Sequence, residues 1–417
     1  MNNTSAFELI PITELLCDIV DNRGKSCPTA ETGFPLIATN CIKHSSIYPT
    51  FENIRYVSED TRKNWFRAEL KPNDILFVNK GTPGRVCLVP DPITFCAAQD
   101  MIGLRADPNK VYYKYLFAIL RSDYIQKKIA NFHVGIAIPH FKKSDMDNLL
   151  IPVPSMDLQY KIGDLYCELS EKIENNNTIN AELEAMAKTI YDYWFLQFEF
   201  PDENGKPYKS SGGKMVWCEE LNREIPEGWK VGNLYDIADF INGLACQKFR
   251  PISPANKLPV VKIGEMHSGI TDQTEYVRDD IPEKHIINDG DILFSWSATL
   301  ETILWTGGKA GLNQHIFKVN PKGFAKYYVF MQLSAYIINF IRMAEARKTT
   351  MGHITTDHLK QSRIALPPKY IAQQYSNTVA TMFQMVIKNN EQNRELASLR
   401  DFLLPLMMNG QVTFGDR

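Results

Sequence analysis

The chain has 417 residues, 44% hydrophobic and 23% charged, with a formal net charge of −2 and a pI near 6.5. Such a composition fits a folded globular protein of two or three domains, each large enough to bury its own core. It offers no overall basic charge for a stand-alone nucleic-acid binder, no opening signal peptide and no run of roughly 18 apolar residues to span a bilayer.

In chain order, residues 1–154 read as a first globular domain. Strand-like runs at 34–39, 74–77, 86–89 and 101–104 are separated by turn-forming clusters such as Lys80-Gly81-Thr82-Pro83-Gly84. A helical stretch follows at 112–130. Residues 155–198 read as one long helix, and residues 199–228, rich in Pro, Gly, Ser and charge, as a connector around Val216, Trp217 and Leu221. Residues 229–367 repeat the first order, with strand-like runs at 258–263, 291–296, 302–305 and 315–319 and a helix at 325–344. A second long helix occupies 368–410, and 411–417 form a tail. Strands first and helix last predict an α+β fold for each globular part.

The two long helices read as copies of each other. At an offset of 213 (364 − 151), Pro154 meets Pro367, Asn176 meets Asn389, Asn177 meets Asn390, Asn180 meets Asn393, Glu182 meets Glu395 and Leu183 meets Leu396, without a gap. Upstream the matches continue at drifting offsets. Leu16–Asp21 resembles 234–239 (offset 218), Pro35 before Leu36-Ile37 resembles Pro259 before Val260-Val261 (224), Asp74-Ile75-Leu76-Phe77 recurs as Asp291-Ile292-Leu293-Phe294 (217), and His140 recurs as His353 (213). Loops accept insertions cheaply. A packed helix does not, because one added residue turns every later side chain by about 100°. The chain is therefore an internal duplication.

Apolar residues in the helices recur every three or four positions, at Ile162, Leu165, Leu169, Ile173, Leu183, Met186, Ile190 and Trp194, and at Tyr375, Met382, Val386, Leu396, Leu399 and Leu403. That spacing predicts a coiled-coil-like seam. Asn176 and Asn180, and Asn389 and Asn393, interrupt it near each midpoint. If the helices pack antiparallel about a pseudo-two-fold axis, midpoint meets midpoint and these four amides pair, fixing register because an unpaired buried amide is costly. A helix of about 38 residues is about 57 Å long.

Catalytic signatures are weak. Gly212-Gly213-Lys214 is followed by Met215 and lacks the phosphate-loop pattern. No GxSxG or HExxH motif occurs. The carboxylates and lysine of 201–206 stand too close together for a nuclease site. The eight cysteines form no CxxC pair and read as reduced thiols, and the eight histidines show no metal spacing. His140 and His353 read as capping the terminal helix or contacting a backbone phosphate. Duplication without catalysis favours recognition of a bipartite ligand, for which duplex DNA is the obvious candidate.

These features together resemble the specificity (S) subunit of Type I restriction-modification systems. The resemblance covers essentially the whole chain. It is carried by the helical repeats after Ile151-Pro152-Val153-Pro154 and Ile364-Ala365-Leu366-Pro367, by Ile225-Pro226-Glu227-Gly228-Trp229, by the Asp-Ile-Leu-Phe segments, and by the His140 and His353 segments. It implies two target recognition domains held apart by two long antiparallel coiled-coil helices. The helices would act as ruler and as docking surface for two methyltransferase (M) subunits, with motor/nuclease (R) subunits completing a cytoplasmic complex. Methylation of adenine N6 would use S-adenosylmethionine held by the M subunit. This chain would hold no cofactor, no metal and no active site, and its Leu366-Pro367-Pro368-Lys369 has the wrong flanks for an adenine methyltransferase tetrapeptide. Base edges would be read in the grooves and phosphates held by Lys and Arg. The candidate DNA contacts are Lys80, Arg85, Lys142 and Lys143 in the first domain, and Trp296, Arg347 and Lys348 in the second. Two other readings remain: a structural coiled-coil adaptor, which would not need two elaborate globular parts, and a stand-alone DNA methyltransferase, which adenine methylation by the purified chain alone would reveal.

Overall fold

The structure is a computed structural model that describes residues 7–21, 25–132, 139–253, 255–346 and 354–412. Contacts divide the chain into two units: Met1–Asn175 with Glu395–Arg417, and Asn176–Arg394. The division falls inside both long helices, so each unit owns part of each helix.

In the first unit, a four-stranded antiparallel sheet has the order Leu16–Asp21, Met101–Ala106, Ile75–Val78, Val86–Leu88. A second sheet places Phe34–Ile37 between Arg55–Val57 and Cys96–Ala97, the latter pairing parallel. A two-stranded ribbon joins Glu8–Pro11 to Leu150–Val153. The second unit repeats the path. Its four-stranded sheet runs Ala238–Asn242, Ile316–Pro321, Ile292–Ser295, Glu301–Leu304. Lys257–Val261 pairs antiparallel with Tyr276–Arg278 and parallel with Ala310–Leu312. Lys230–Gly232 pairs with Ile364–Leu366. The shared strand order, including the parallel pairing of Phe34–Ile37 with Cys96–Ala97 and of Lys257–Val261 with Ala310–Leu312, establishes the duplication in three dimensions.

The recurring Asp-Ile-Leu-Phe segment has a physical cause. Ile75–Val78 and Ile292–Ser295 are buried along their whole length, as central strands packed on both faces are. The aspartate before each turns the chain into the strand. Asp74 Oδ2 accepts from the Lys71 backbone N–H at 2.7 Å, and both its oxygens accept from Arg105 at 2.8 and 2.9 Å. Asp291 Oδ2 likewise accepts from the Asn288 N–H at 2.8 Å and pairs with Lys318 at 2.9 Å. Each acid thus satisfies a turn N–H and draws a cation from the strand beside it.

Three expectations need correction. The match of Leu16–Asp21 with 234–239 is out of register. Ile19 pairs with Leu104 and Phe240 with Val319, so the true counterpart of Ile19 is Phe240 (offset 221), and the first four residues matched in sequence lie on a short helix, Leu234–Ile237, before the strand. The helix expected at 112–130 is two, Tyr113–Arg121 and Asp123–Asn131. Ser122 breaks it by adopting extended geometry and accepting from the Ile125 N–H, an N-cap interaction that satisfies an otherwise orphaned donor. Met186 and Leu399 are not seam residues, being 52% and 45% exposed. Ala187 and Tyr191 face inward on the first helix instead.

The long helices are Met156–Tyr191, continued by a π turn Asp192–Leu196, and Lys369–Met408. In the second unit they run in opposite senses: Asn176 bonds to Asn393, Asn180 to Asn389 and Asn390, and the Tyr375 hydroxyl donates to the Ala187 carbonyl at 3.0 Å. In the first unit they are antiparallel too, since Arg400 donates to Ser170 at 3.2 Å while Leu404 and Met407 share a core with Ile162 and Tyr166. The second unit's core is strongly aromatic, with Tyr191, Phe195, Tyr328 and Tyr375 packed together. Within residues 199–228, a hairpin joins Met215–Cys218 to Arg223–Pro226, and Phe200 stacks on Trp229 at the start of the following domain.

All eight cysteines are free; burial pushes the Cys96 thiol up to about 11 and that of Cys167 up to about 12, which keeps them protonated and unreactive. Among the described residues no helix is long and apolar enough to cross a membrane, and no cluster of His, Cys, Asp or Glu could hold a metal.

Candidate nucleic-acid interface

In the first unit, the loop between Ile75–Val78 and Val86–Leu88 is braced from several directions. The Gly81 N–H donates to the Pro139 carbonyl at 3.0 Å, the Phe141 N–H to the Asn79 carbonyl at 2.8 Å, and Lys80 and His140 form a single β-bridge. Gln126 Nε2 donates to the Gly84 carbonyl at 2.8 Å, tying the loop to the helix beneath. Gly81 and Gly84 take φ of 87° and 92°, which glycine adopts without strain. The result is a stiff loop beside residues 139–143, and it brings Lys80 onto a segment adjacent to Lys142 and Lys143.

Lys80, Lys142 and Lys143 are exposed, and Arg85 is half-buried. Lys143 is not a free cation: its ammonium lies 2.8 Å from the Asp21 carboxylate. Both side chains are nearly half exposed, so water screens the pair and an anion could compete for the lysine. His140 is half-buried in the bridge to Lys80, between the loop and the lysines.

The corresponding loop of the second unit begins at Trp296, the counterpart of Asn79 (296 − 217 = 79). The Ile354 N–H donates to the Trp296 carbonyl at 2.9 Å, mirroring the bond from Phe141 to Asn79 (354 − 213 = 141). Trp296 donates its indole N–H to Asn242 Oδ1 at 3.2 Å, and its ring lies 5.4 Å from that of His315. Ala298 stands where the first loop has Gly81 (298 − 217 = 81) and keeps a left-handed φ of 56°. A residue with a Cβ pays about 1 kcal/mol for that conformation, so the loop shape is imposed by its surroundings. Arg347, Lys348 and His353 lie outside the described residues.

The sequence reading missed three members of these surfaces. Asp21 offsets the charge of Lys143, while Asn242 and the exposed His315 flank Trp296. None lies near its partner in sequence; only the sheet pairing of Ala238–Asn242 with Ile316–Pro321 brings Asn242 and His315 to one end. One loop offers backbone-braced cations and the other an indole with imidazole and amide, which are the kinds of group that proteins in general use toward phosphates and base edges.

The seam asparagines form a ladder in the second unit. Asn176 Nδ2 donates to Gln392 Oε1 at 2.9 Å and to Asn393 Oδ1 at 2.8 Å; Asn393 Nδ2 donates to Asn177 Oδ1 at 2.9 Å. Asn180 Nδ2 donates to Asn390 Oδ1, and Asn389 Nδ2 to Asn180 Oδ1, both at 2.8 Å. Asn176 and Asn180 are buried, so sliding either helix by a turn would strand their amides at a cost of about 1–3 kcal/mol each.

Comparison with known proteins agrees with this two-part arrangement. A family model described as the Type I restriction modification DNA specificity domain matches residues 16–185 and, a second time, residues 226–397. The chain is 24% identical over 372 residues to the Type I restriction enzyme MjaIX specificity subunit of Methanocaldococcus jannaschii, covering 86% of this chain and 82% of that one. It is 23% identical over 406 residues to the Type I restriction enzyme HindI specificity subunit of Haemophilus influenzae, covering 83% and 88%. Among solved structures, the Type I restriction-modification S subunit from M. genitalium superposes with a TM-score of 0.59 at 15% identity over 100% of this chain and 98% of that one, a likeness of fold.

Proposed function

Because this chain belongs to the Type I restriction modification DNA specificity family, we propose that each of its two units reads one half of a bipartite duplex target. It is a DNA-recognition specificity subunit carrying two tandem DNA specificity domains. The observation that carries the bipartite reading is the repeated strand order of the two units, each presenting a loop braced at the same backbone position. Residues 1–154 and 229–367 serve as the two target recognition domains, 155–198 and 368–410 as the spacer helices. Lys80, Arg85, Lys142 and Lys143 position the first domain on phosphates, and Trp296, with Arg347 and Lys348, serves the second.

Catalysis belongs to partners in this reading. Two methyltransferase subunits dock on the central helices and transfer a methyl group from S-adenosylmethionine to adenine N6. Motor/nuclease subunits join them for cleavage, in the cytoplasm.

The asparagine ladder supports a ruler function for the helices, with Asn176, Asn180, Asn389 and Asn393 setting register. Four residues inserted after Asn177 and four more after its counterpart Asn390 (177 + 213 = 390) lengthen both helices together and preserve the pairing sense. Four residues add about 6 Å of helix, against about 3.4 Å per base pair. The methylated motif is expected to keep both half-sites and gain about one or two base pairs of spacer. An unchanged spacer in the sequenced methylome would contradict the ruler.

A further inference from the structure

The second unit holds a charged clasp between its globular part and its long helix. Arg394 Nη2 donates to Asp289 Oδ2 at 2.9 Å and Nη1 to Oδ1 at 3.4 Å. The carboxylate is itself fixed, because the Gly308 N–H donates to Asp289 Oδ1 at 2.7 Å and the side chain is mostly buried. One helical turn earlier, Asn390 Nδ2 donates to Thr306 Oγ1 at 3.3 Å while its Oδ1 accepts from Asn180. The loops that supply Asp289 and Thr306 are tied together: the Gly290 N–H donates to the Trp305 carbonyl at 2.6 Å, and the Trp305 N–H to that of Asp291 at 2.8 Å. The clasp therefore couples one rigid piece of the globular part to the asparagine ladder. A forked guanidinium bound to an immobilised carboxylate fixes direction, which a mobile surface pair does not.

The first repeat lacks this pair at the matching positions and ties its globular part to the long helix elsewhere, with Lys114 and the Tyr112 hydroxyl both 2.8 Å from Asp164. The counterpart of Arg394 is Ala181 (394 − 213 = 181), and that of Asp289 is Pro72 (289 − 217 = 72). The Asp289–Arg394 pair is thus particular to the second copy and is not required at that place by the duplicated fold.

We propose that Asp289 and Arg394 are positioning residues that fix the angle of the second recognition domain on its helix and so set the spacer length the complex accepts. This rests on the bipartite reading above. One extra base pair carries the second half-site about 3.4 Å along the duplex and about 34° around it. A domain held at one angle meets a single such placement; a domain able to rock on its helix meets neighbouring ones.

The test uses the assembled methyltransferase complex and duplexes carrying both half-sites of the host methylome, with the natural spacer or one base pair fewer or more. Arg394→Gln removes the charge and the fork but leaves Asp289 bonded to Gly308. Discrimination between spacers is expected to fall by about tenfold, roughly the factor carried by 1.4 kcal/mol. Single-base changes within either half-site should be rejected as strongly as before. Arg394→Lys, which keeps the charge without the fork, should restore part of the spacer discrimination. Unaltered spacer discrimination in Arg394→Gln overturns the proposal. So does equal loss of half-site discrimination, which marks general damage to the domain. A wild-type complex that methylates no bipartite duplex overturns the bipartite reading itself and the clasp's role with it.

Discussion

Replacing residues 1–154 with the first domain of another family member is expected to change one half-site of the methylated target completely and leave the other untouched. Specific sites are typically preferred over non-specific DNA by about 10³–10⁷, so methylation of the original target should fall by orders of magnitude while the hybrid target appears. The boundary follows from the fold. Leu150–Val153 pairs with Glu8–Pro11, so a junction at Pro154 keeps that ribbon within the exchanged piece. Residues supporting the domain from below, among them Ile162, Tyr166, Leu404 and Met407, stay with the recipient. A methylome in which both half-sites change would show that the domains do not read independently.

The second large effect is on stability. Gly163 lies inside the helix Met156–Tyr191, where alanine would ordinarily be better by about 1 kcal/mol. Here a Cβ would stand 2.6 Å from the Tyr115 backbone nitrogen and 2.9 Å from the Lys114 carbonyl carbon. Backbone atoms cannot rotate away, so the long helix must lift from the helix Tyr113–Arg121. Overpacking of this kind costs about 1–3 kcal/mol, which outweighs the propensity gain and reverses its sign. Gly163→Ala is thus expected to lower the unfolding midpoint and hydrogen-exchange protection of the first unit's core around Tyr115 and Leu116. Gly264→Ala, in the short helix Ile263–Ser268 with open space around it, is the control and should be neutral or stabilising. Equal or higher protection in Gly163→Ala would contradict the close approach.

Much of this architecture could be read in the residues themselves, for reasons that are local. A helix repeats its chemistry at fixed spacing, so the asparagines at 176, 180, 389 and 393 stayed in alignment across 213 positions. Asp74 and Asp291 were visible because each turn needs an acceptor next to an apolar strand. The inward face of the long helices was read less well. Spacings of three and four admit two neighbouring stripes, with Met186 on the outer one and, on the inner one, the small buried Ala187, whose carbonyl accepts from the Tyr375 hydroxyl. Long-range pairings left no local trace. Nothing near Glu8 announces Val153, and nothing near Lys143 announces Asp21. The candidate interface divides the same way: its charged loop was legible from glycines and lysines in one stretch, while His315 and Asn242 join Trp296 only through the sheet.

Single-molecule methylome sequencing of the host, with this chain present and with it deleted, tests the central claim most directly. Two recognition units on one polypeptide predict adenine methylation at a single motif made of two defined half-sites around a gap of fixed length, lost entirely on deletion. A continuous motif without a gap, or methylation that survives deletion unchanged, would contradict it.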